Sequence, residues 1–203
     1  MLVEERAALV AELALADQPA QSALALARFV YPDLDEPGCL AQLDAMSSEV
    51  VGSTHLSLRR VISISHGYGG DAVTYHDPDN SFLNRVLKTR LGIPITLSII
   101  WIEVGRRCGI EVEGVGLPGH FLVYAGGQLC DPFHGGEAIG GDEAAALVAL
   151  NLGGPKRLDP SWLAPVDTKS LIARVVRNLE AIYTERADLE NLDWVLACKT
   201  GLV

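Results

Sequence analysis

The order of periodicities along this chain predicts an α+β fold. Three observations carry it. Apolar residues recur at helical spacing from the start to Cys108, alternation with a Gly-Gly turn takes over between Glu111 and Asp131, and helical spacing returns after Asp142. A short antiparallel sheet between two helical regions is the expected arrangement, with a buried helix at its centre.

The first expected helix covers 2–16, where Leu2, Leu9, Val10, Leu13 and Leu15 lie among Glu, Arg and Ala. Asp17 to Pro19 breaks it, and Ala20 to Val30 forms a second helix stopped by Pro32. Pro37 and Gly38 open a third, running through Leu40, Leu43, Met46 and Val50, and Leu58 to Ser65 is a further short helix. Gly67 to Asn80 is rich in Gly and Asp and reads as an irregular connection. Asp79, Asn80 or Ser81 is expected to cap a helix over Phe82 to Thr89.

Pro94 suits the first turn of the next helix, where its missing N–H is not needed. That helix runs from Thr96 to Cys108 as the buried central one, with Gly109 as its C-cap. Glu111 to Val115 and His120 to Tyr124 are the first two strands. Ala125-Gly126-Gly127 is a hairpin turn into a third strand, Gln128 to Asp131. Gly135, Gly136, Gly140 and Gly141 mark a mobile loop. Asp142 to Leu152 is helical, Pro155 to Pro165 irregular, and Thr168 to Tyr183 with Leu189 to Thr200 form a helical pair. The expected division is 1–165 for the main domain and 166–203 for the C-terminal pair.

Composition narrows the function classes. With 203 residues, 49% hydrophobic and 21% charged, the chain can bury a core without staples. A net charge of −10 disfavours nonspecific binding to nucleic acid or to an anionic membrane. Arg85, Lys88, Arg90, Arg106 and Arg107 nevertheless cluster in sequence around the central segment. Cys39, Cys108, Cys130 and Cys198 form no CxxC pair, so metal-finger and redox-motif readings have no support, and no cofactor is expected. The acidic start lacks the basic region of a signal peptide, and the longest apolar run, Ile93 to Val104, is shorter than the roughly 20 residues a bilayer span needs. A cytoplasmic protein with reduced thiols is expected.

The chemistry concentrates on His120 and Asp131. A hairpin turning near Gly126 brings them together across the ladder, and an aspartate beside a histidine fixes its tautomer and raises its basicity. The alternative is a satisfied core histidine and a turn residue before Pro132. A nucleophile at the start of the central helix would gain from the helix dipole, yet that start holds Pro94 rather than cysteine. Thr96 and Ser98 carry hydroxyls there, for which His120 is the evident base; equally, both hydroxyls can cap or back-bond to the helix. Cys130 is expected to point away from His120 if Asp131 points toward it, because neighbours on a strand face opposite sides. Cys108 sits at the wrong end of the helix dipole for activation. A metal site of His120, Asp131 and His134, with His76 as a fourth ligand, is a weaker alternative, and no metal is assigned.

The runs NSFLNRVL (Asn80 to Leu87), GIPITLSIIWIEVGRRCGI (Gly92 to Ile110), EGVGLPGH (Glu113 to His120) and DPFHGG (Asp131 to Gly136) resemble the SirB-type transglutaminase-like proteins of bacteria. The resemblance covers roughly residues 1–185. It implies a transglutaminase-like, papain-like domain followed by tetratricopeptide-type helices, of which Leu171 to Thr200 looks like the start. Active members of the wider group carry Gly-x-Cys-x-x-x-Ala at the central helix. On that pattern Gly92 matches the glycine, Pro94 falls on the cysteine, Ser98 on the alanine, and His120 and Asp131 on the histidine and aspartate. The resemblance therefore implies a fold without cysteine chemistry. The favoured expectation is a non-catalytic module that binds a peptide or protein partner through a cleft around His120, Asp131 and the Gly67 to Asn80 loop. The other is acyl transfer or amide hydrolysis by Thr96 or Ser98, with His120 as base and Asp131 as its orienter.

Overall fold

The computed structural model describes residues 3–15, 17–154 and 157–202. It opens with helices α1 (Val3–Leu15), α2 (Pro19–Ala27), α3 (Glu36–Ser48) and α4 (His55–Arg59). Leu2 and the end of the first expected helix at Ala16 lie outside the described residues. The second helix stops at Ala27 instead of Val30, in a turn closed by the Val30 and Tyr31 amides on the Ala27 carbonyl. Arg60–Ser65 continues α4 as a π-helical turn.

The connection after it is more ordered than expected. Strand β1 (Gly69–Gly70) pairs in parallel with β2 (Leu91–Gly92), and Pro78–Ser81 is a 3-10 turn leading to α5 (Leu83–Thr89). The expected cap of α5 is corrected here. Phe82 holds the N-cap position with no side-chain bond: Asp79 and Asn80 are committed elsewhere, and the Ser81 hydroxyl is buried without a partner among the described residues. Asp77 caps the 3-10 turn, Asp79 accepts from Arg85 and Tyr31, and Asn80 donates to Asp71.

Helix α6 (Pro94–Cys108) begins at the proline and ends at Gly109 in the left-handed conformation, as the sequence predicts. Then come β3 (Val112–Val115), β4 (Leu122–Ala125), β5 (Gln128–Asp131), β6 (Glu137–Ala138), α7 (Gly141–Leu152), β7 (Pro165–Val166), α8 (Thr168–Glu185) and α9 (Leu189–Gly201). The larger sheet is antiparallel in the order β6-β5-β4-β3-β7. Gly126 and Gly127 both have positive φ, 54° and 82°, as the tight β4–β5 turn requires.

Three expectations are corrected in this region. His120 does not begin a strand: it lies two residues before β4, its carbonyl accepting from Arg174 after the Pro118-Gly119 turn. The glycine-rich segment after Asp131 contains β6, fixed to β5 and held by Arg59, which donates to the Gly135 carbonyl and pairs with Glu137. The segment before Pro165 contains a 3-10 turn (Pro160–Leu163), and Pro165 itself starts the edge strand β7, where a missing N–H is tolerated; Pro155 and Lys156 lie outside the described residues.

The sheet buries both faces. Val123, Ala125 and Cys130 pack with α6, whereas Val115 and Leu122 pack with Ala144 and Val148 of α7. Ile95, Leu97, Ile99, Ile100, Trp101 and Val104 of α6 are buried in one cluster with α2, α3, α5, α8 and α9. Leu171, Val175 and Leu179 of α8 and Trp194, Val195 and Cys198 of α9 belong to that same cluster. The arginines of the central segment form no single patch. Arg106 and Arg107 pair with buried Glu103, Arg107 also with Asp44, and Arg85 with Asp79. No described helix is long and apolar enough to cross a membrane.

Candidate functional site

The site lies where α6 starts. Gly92 of β2 is anchored because the Asp71 amide donates to its carbonyl at 3.0 Å, and the Gly70 amide donates to the Phe133 carbonyl at 2.9 Å. The loop between β1 and α5 thus ties the start of α6 to the turn after β5. Asp71 folds that loop on itself, accepting from the Val73 and Thr74 amides, the Thr74 hydroxyl and the Asn80 amide. Tyr75 then lies edge-on to Phe133, with ring centroids 5.8 Å apart.

Asp131 is 2% exposed and ends β5 as the hub of a network. Its Oδ2 accepts from His120 Nε2 at 2.9 Å and from His134 Nδ1 at 2.8 Å. Its Oδ1 accepts from the Phe133 amide at 3.0 Å and from the His134 amide at 3.4 Å. Burial pushes the Asp131 carboxyl pKa up, but the bonds and charges of His120 and His134 outweigh it and hold the group below the usual carboxylate range. An ionised carboxylate only accepts, so Nε2–H of His120 is the donor and Nδ1 is the ring nitrogen left free. The expected pairing of His120 with Asp131 is present. His134 is a second ring on the same oxygen, stacked on His120 at 6.1 Å.

A cavity of about 330 Å³ opens beside this pair. Pro94 and Ile95 form one wall, Gly119, His120 and Phe121 another, and Tyr75 with Arg174, Arg177 and Asn178 of α8 complete it. Pro94, on which the nucleophile position falls, therefore faces the same space as His120.

Neither hydroxyl candidate joins them. Ser98 is fully buried, and its hydroxyl donates to the Pro94 carbonyl at 2.8 Å. It lies one helical turn beneath Pro94, behind the cavity wall. Thr96 is two residues on from Pro94, hence on the far side of the helix; it is also fully buried, and its hydroxyl has no partner among the described residues. No hydrogen bond joins either hydroxyl to His120 among the described residues. Cys130 points into the core, where burial pushes its thiol up to about 11, and Cys108 is also raised by burial. Strand alternation predicts the orientation of Cys130 correctly.

Among the described residues, His120, Asp131 and His134 are the one group whose donor atoms converge as metal ligands, within 4.8 Å of one another. His76 is not part of it; its carbonyl accepts from Arg186 and its ring meets Tyr75. Tyr75 belongs to the loop expected to contribute to the cleft, whereas the lining residues Arg174, Arg177 and Asn178 were not singled out by sequence reasoning. The signal was the spacing of the last three, i, i+3 and i+4, beside the apolar face of α8.

A family model described as "Transglutaminase-like superfamily" matches residues 37–177. A protein of Xylella fastidiosa (strain 9a5c) called UPF0162 protein is 37% identical over 178 residues, covering 80% of this chain and 63% of that protein. A UPF0162 protein of Vibrio cholerae is 30% identical over 113 residues, covering 53% of this chain and 42% of that protein. F-box only protein 21 of Mus musculus shares 36% identity over 56 residues, 28% of this chain and 9% of that protein. The chain thus spans less than two thirds of the length of these relatives. No solved structure is a significant match.

Proposed function

The chain belongs to the transglutaminase-like superfamily, and from that premise we propose that it is a non-catalytic module whose cleft beside His120 and Asp131 binds a segment of a peptide or protein partner. One observation carries the reading. The wall facing His120 is Pro94, which has neither a thiol nor a hydroxyl, while the hydroxyls of Thr96 and Ser98 are buried away from the cavity. A histidine oriented by a carboxylate then has no nucleophile to deprotonate, and acyl transfer loses its first step. What remains is a preformed concave site with aromatic walls and a few polar groups, the usual composition of a ligand site. The finer reading belongs with it. The chain is of the SirB type, and α8 and α9, packed on each other, open a tetratricopeptide-like stack that extends the binding surface.

The test is selection of a random peptide library on the intact chain, with the bound and unbound pools sequenced by mass spectrometry. Expected is enrichment of a peptide class recovered uncut, and its loss in Asn178→Trp, which fills the cavity from an exposed position. Peptide turnover that disappears in His120→Ala, or labelling of Thr96 or Ser98 by a fluorophosphonate, overturns the proposal.

A further inference from the structure

We propose that the cleft is a receptor for a peptide carboxylate, held by Arg177 and Arg174 against the start of α6; this rests on the reading of the cleft as a binding site.

The charge distribution carries the argument. The chain has 26 acidic and 16 basic residues, so an arginine has carboxylates to choose from. Six of the twelve arginines take one: Arg6, Arg28, Arg59, Arg85, Arg106 and Arg107 are ion-paired. Arg174 and Arg177 are not, among the described residues, and both line the cavity. Among the described residues, no aspartate or glutamate lines it with them. Their own helix gives no relief. Ala173 and Ala181 stand four residues either side of Arg177, and Glu180, three residues on, is bound to Lys199 at 2.8 Å.

The two guanidiniums divide the work. Arg174 is built into the wall. It donates to the Leu117 carbonyl at 2.6 Å and the His120 carbonyl at 3.1 Å, and its guanidinium lies 5.3 Å from the centre of the Phe121 ring. Burial, and after it the neighbouring charge of Arg177, lower its pKa, and the two cations line one cavity. Arg177 is exposed and makes no hydrogen bond or ion pair among the described residues, so its planar fork is available for bidentate contact with a carboxylate. Opposite them, α6 starts without a side-chain cap, and Ile95, in its first turn, lines the same cavity. The positive end of that helix adds to the potential of the guanidiniums. An anion seated there relieves the repulsion between the arginines, and a neutral ligand leaves it in place. A volume of about 330 Å³ suits one side chain or one chain end.

The test follows backbone amide NMR signals of Ile95, Gly119, His120 and Asn178 in the intact, isotope-labelled chain. Four probes are titrated: acetyl-Ala-Glu-amide, acetyl-Ala-Ala with a free C-terminus, neutral acetyl-Ala-Ala-amide, and inorganic phosphate. Expected are saturable shifts with a carboxylate peptide, reduced by added salt and weakened about tenfold in Arg177→Gln, whose exposed position leaves the rest of the spectrum in place. Which of the two carboxylate peptides binds more tightly distinguishes a side chain from a chain end. Equal response to the neutral peptide overturns the carboxylate assignment and leaves the binding cleft standing. So does undiminished carboxylate binding by Arg177→Gln. Shifts with phosphate alone overturn the peptide source, and silence with all four probes overturns the proposal altogether, leaving the library selection to decide the cleft.

Discussion

Replacing Asp131 by alanine removes the acceptor that both histidines share, and the cost can be worked bond by bond. The His120 side chain is 8% exposed, so its Nε2–H is left with neither protein nor solvent partner, at about 1–3 kcal/mol. The Phe133 amide loses a 3.0 Å bond in a part-buried turn, worth about 1 kcal/mol. The His134 ring is 59% exposed and exchanges its bond for water at little cost, and the 3.4 Å bond from its amide is weak. Relief from burying the carboxylate charge offsets part of this. The net expectation at neutral pH is a loss of about 2–3 kcal/mol, which for a chain of 203 residues lowers Tm by roughly 5–10 °C. Urea unfolding followed by the fluorescence of buried Trp101 and Trp194 measures it. His134→Ala is the internal control and should lose no more than about 0.5 kcal/mol. The pH dependence supplies a second check. The folded Asp131 carboxyl lies below its unfolded value, so its contribution is present above the ordinary carboxylate range near ~3.9 and is lost as pH falls through the folded pKa. The gap between the two proteins should therefore narrow at acid pH. A deficit under about 1 kcal/mol at neutral pH, or one that does not change with acidification, refutes the role of Asp131 as the group that holds His120.

Two further substitutions probe the geometry around that pair. Gly136 has φ 72°, and a Cβ there would lie 2.1 Å from the Trp101 ring, so Gly136→Ala should destabilise by about 2–4 kcal/mol in the same assay; a loss under about 1 kcal/mol would mean that the turn after β5 does not rest on α6. Pro94→Cys should place a thiol at the helix start, facing the space beside His120. Iodoacetamide at neutral pH should modify it well ahead of Cys130 and Cys198, whose thiols burial pushes up to about 11 and about 12, and the advantage should shrink in a His120→Ala background. A rate indifferent to His120 sinks the alignment of Pro94 with a nucleophile position.

What the sequence revealed of this site depended on how local each signal was. Pro94, Gly109 and the Gly126-Gly127 turn are written in single residues whose backbone preferences act alone, and the helix and hairpin they bound are where they were expected. The alternation of β5 separates Cys130 from Asp131 in the same local way. The polar residues before α5 do not cap it because Asp79 and Asn80 are drawn to other partners and Ser81 is buried within the 3-10 turn. Asp79 is taken by Tyr31 and Arg85, a choice that exists only once α2 and α5 are packed. The strands β6 and β7 are two residues each, too short to show a period, and they form because β5 and β3 offer open edges.

The far wall of the cleft shows the limit most clearly. Arg174 and Arg177 are ordinary polar positions on an amphipathic helix when read along the chain, where charged residues opposite an apolar stripe need no special explanation. Their meaning comes from what tertiary packing withholds. The acid nearest Arg177 on its own helix, Glu180, is claimed by Lys199 of α9, and the one carboxylate near His120 is turned away behind the imidazole to hold it. The same fold that fixes His120 by giving it Asp131 thereby denies that carboxylate to the arginines. An active hydrolase of this architecture would spend the oriented histidine on a nucleophile. With Pro94 in that place, the proposed role of the oriented ring is that of a fixed wall with one free nitrogen, beside two arginines that lack a carboxylate partner. Proline at the nucleophile position and the unpaired arginines are thus separate observations, and each supports the proposal that the cleft holds a ligand rather than cutting it.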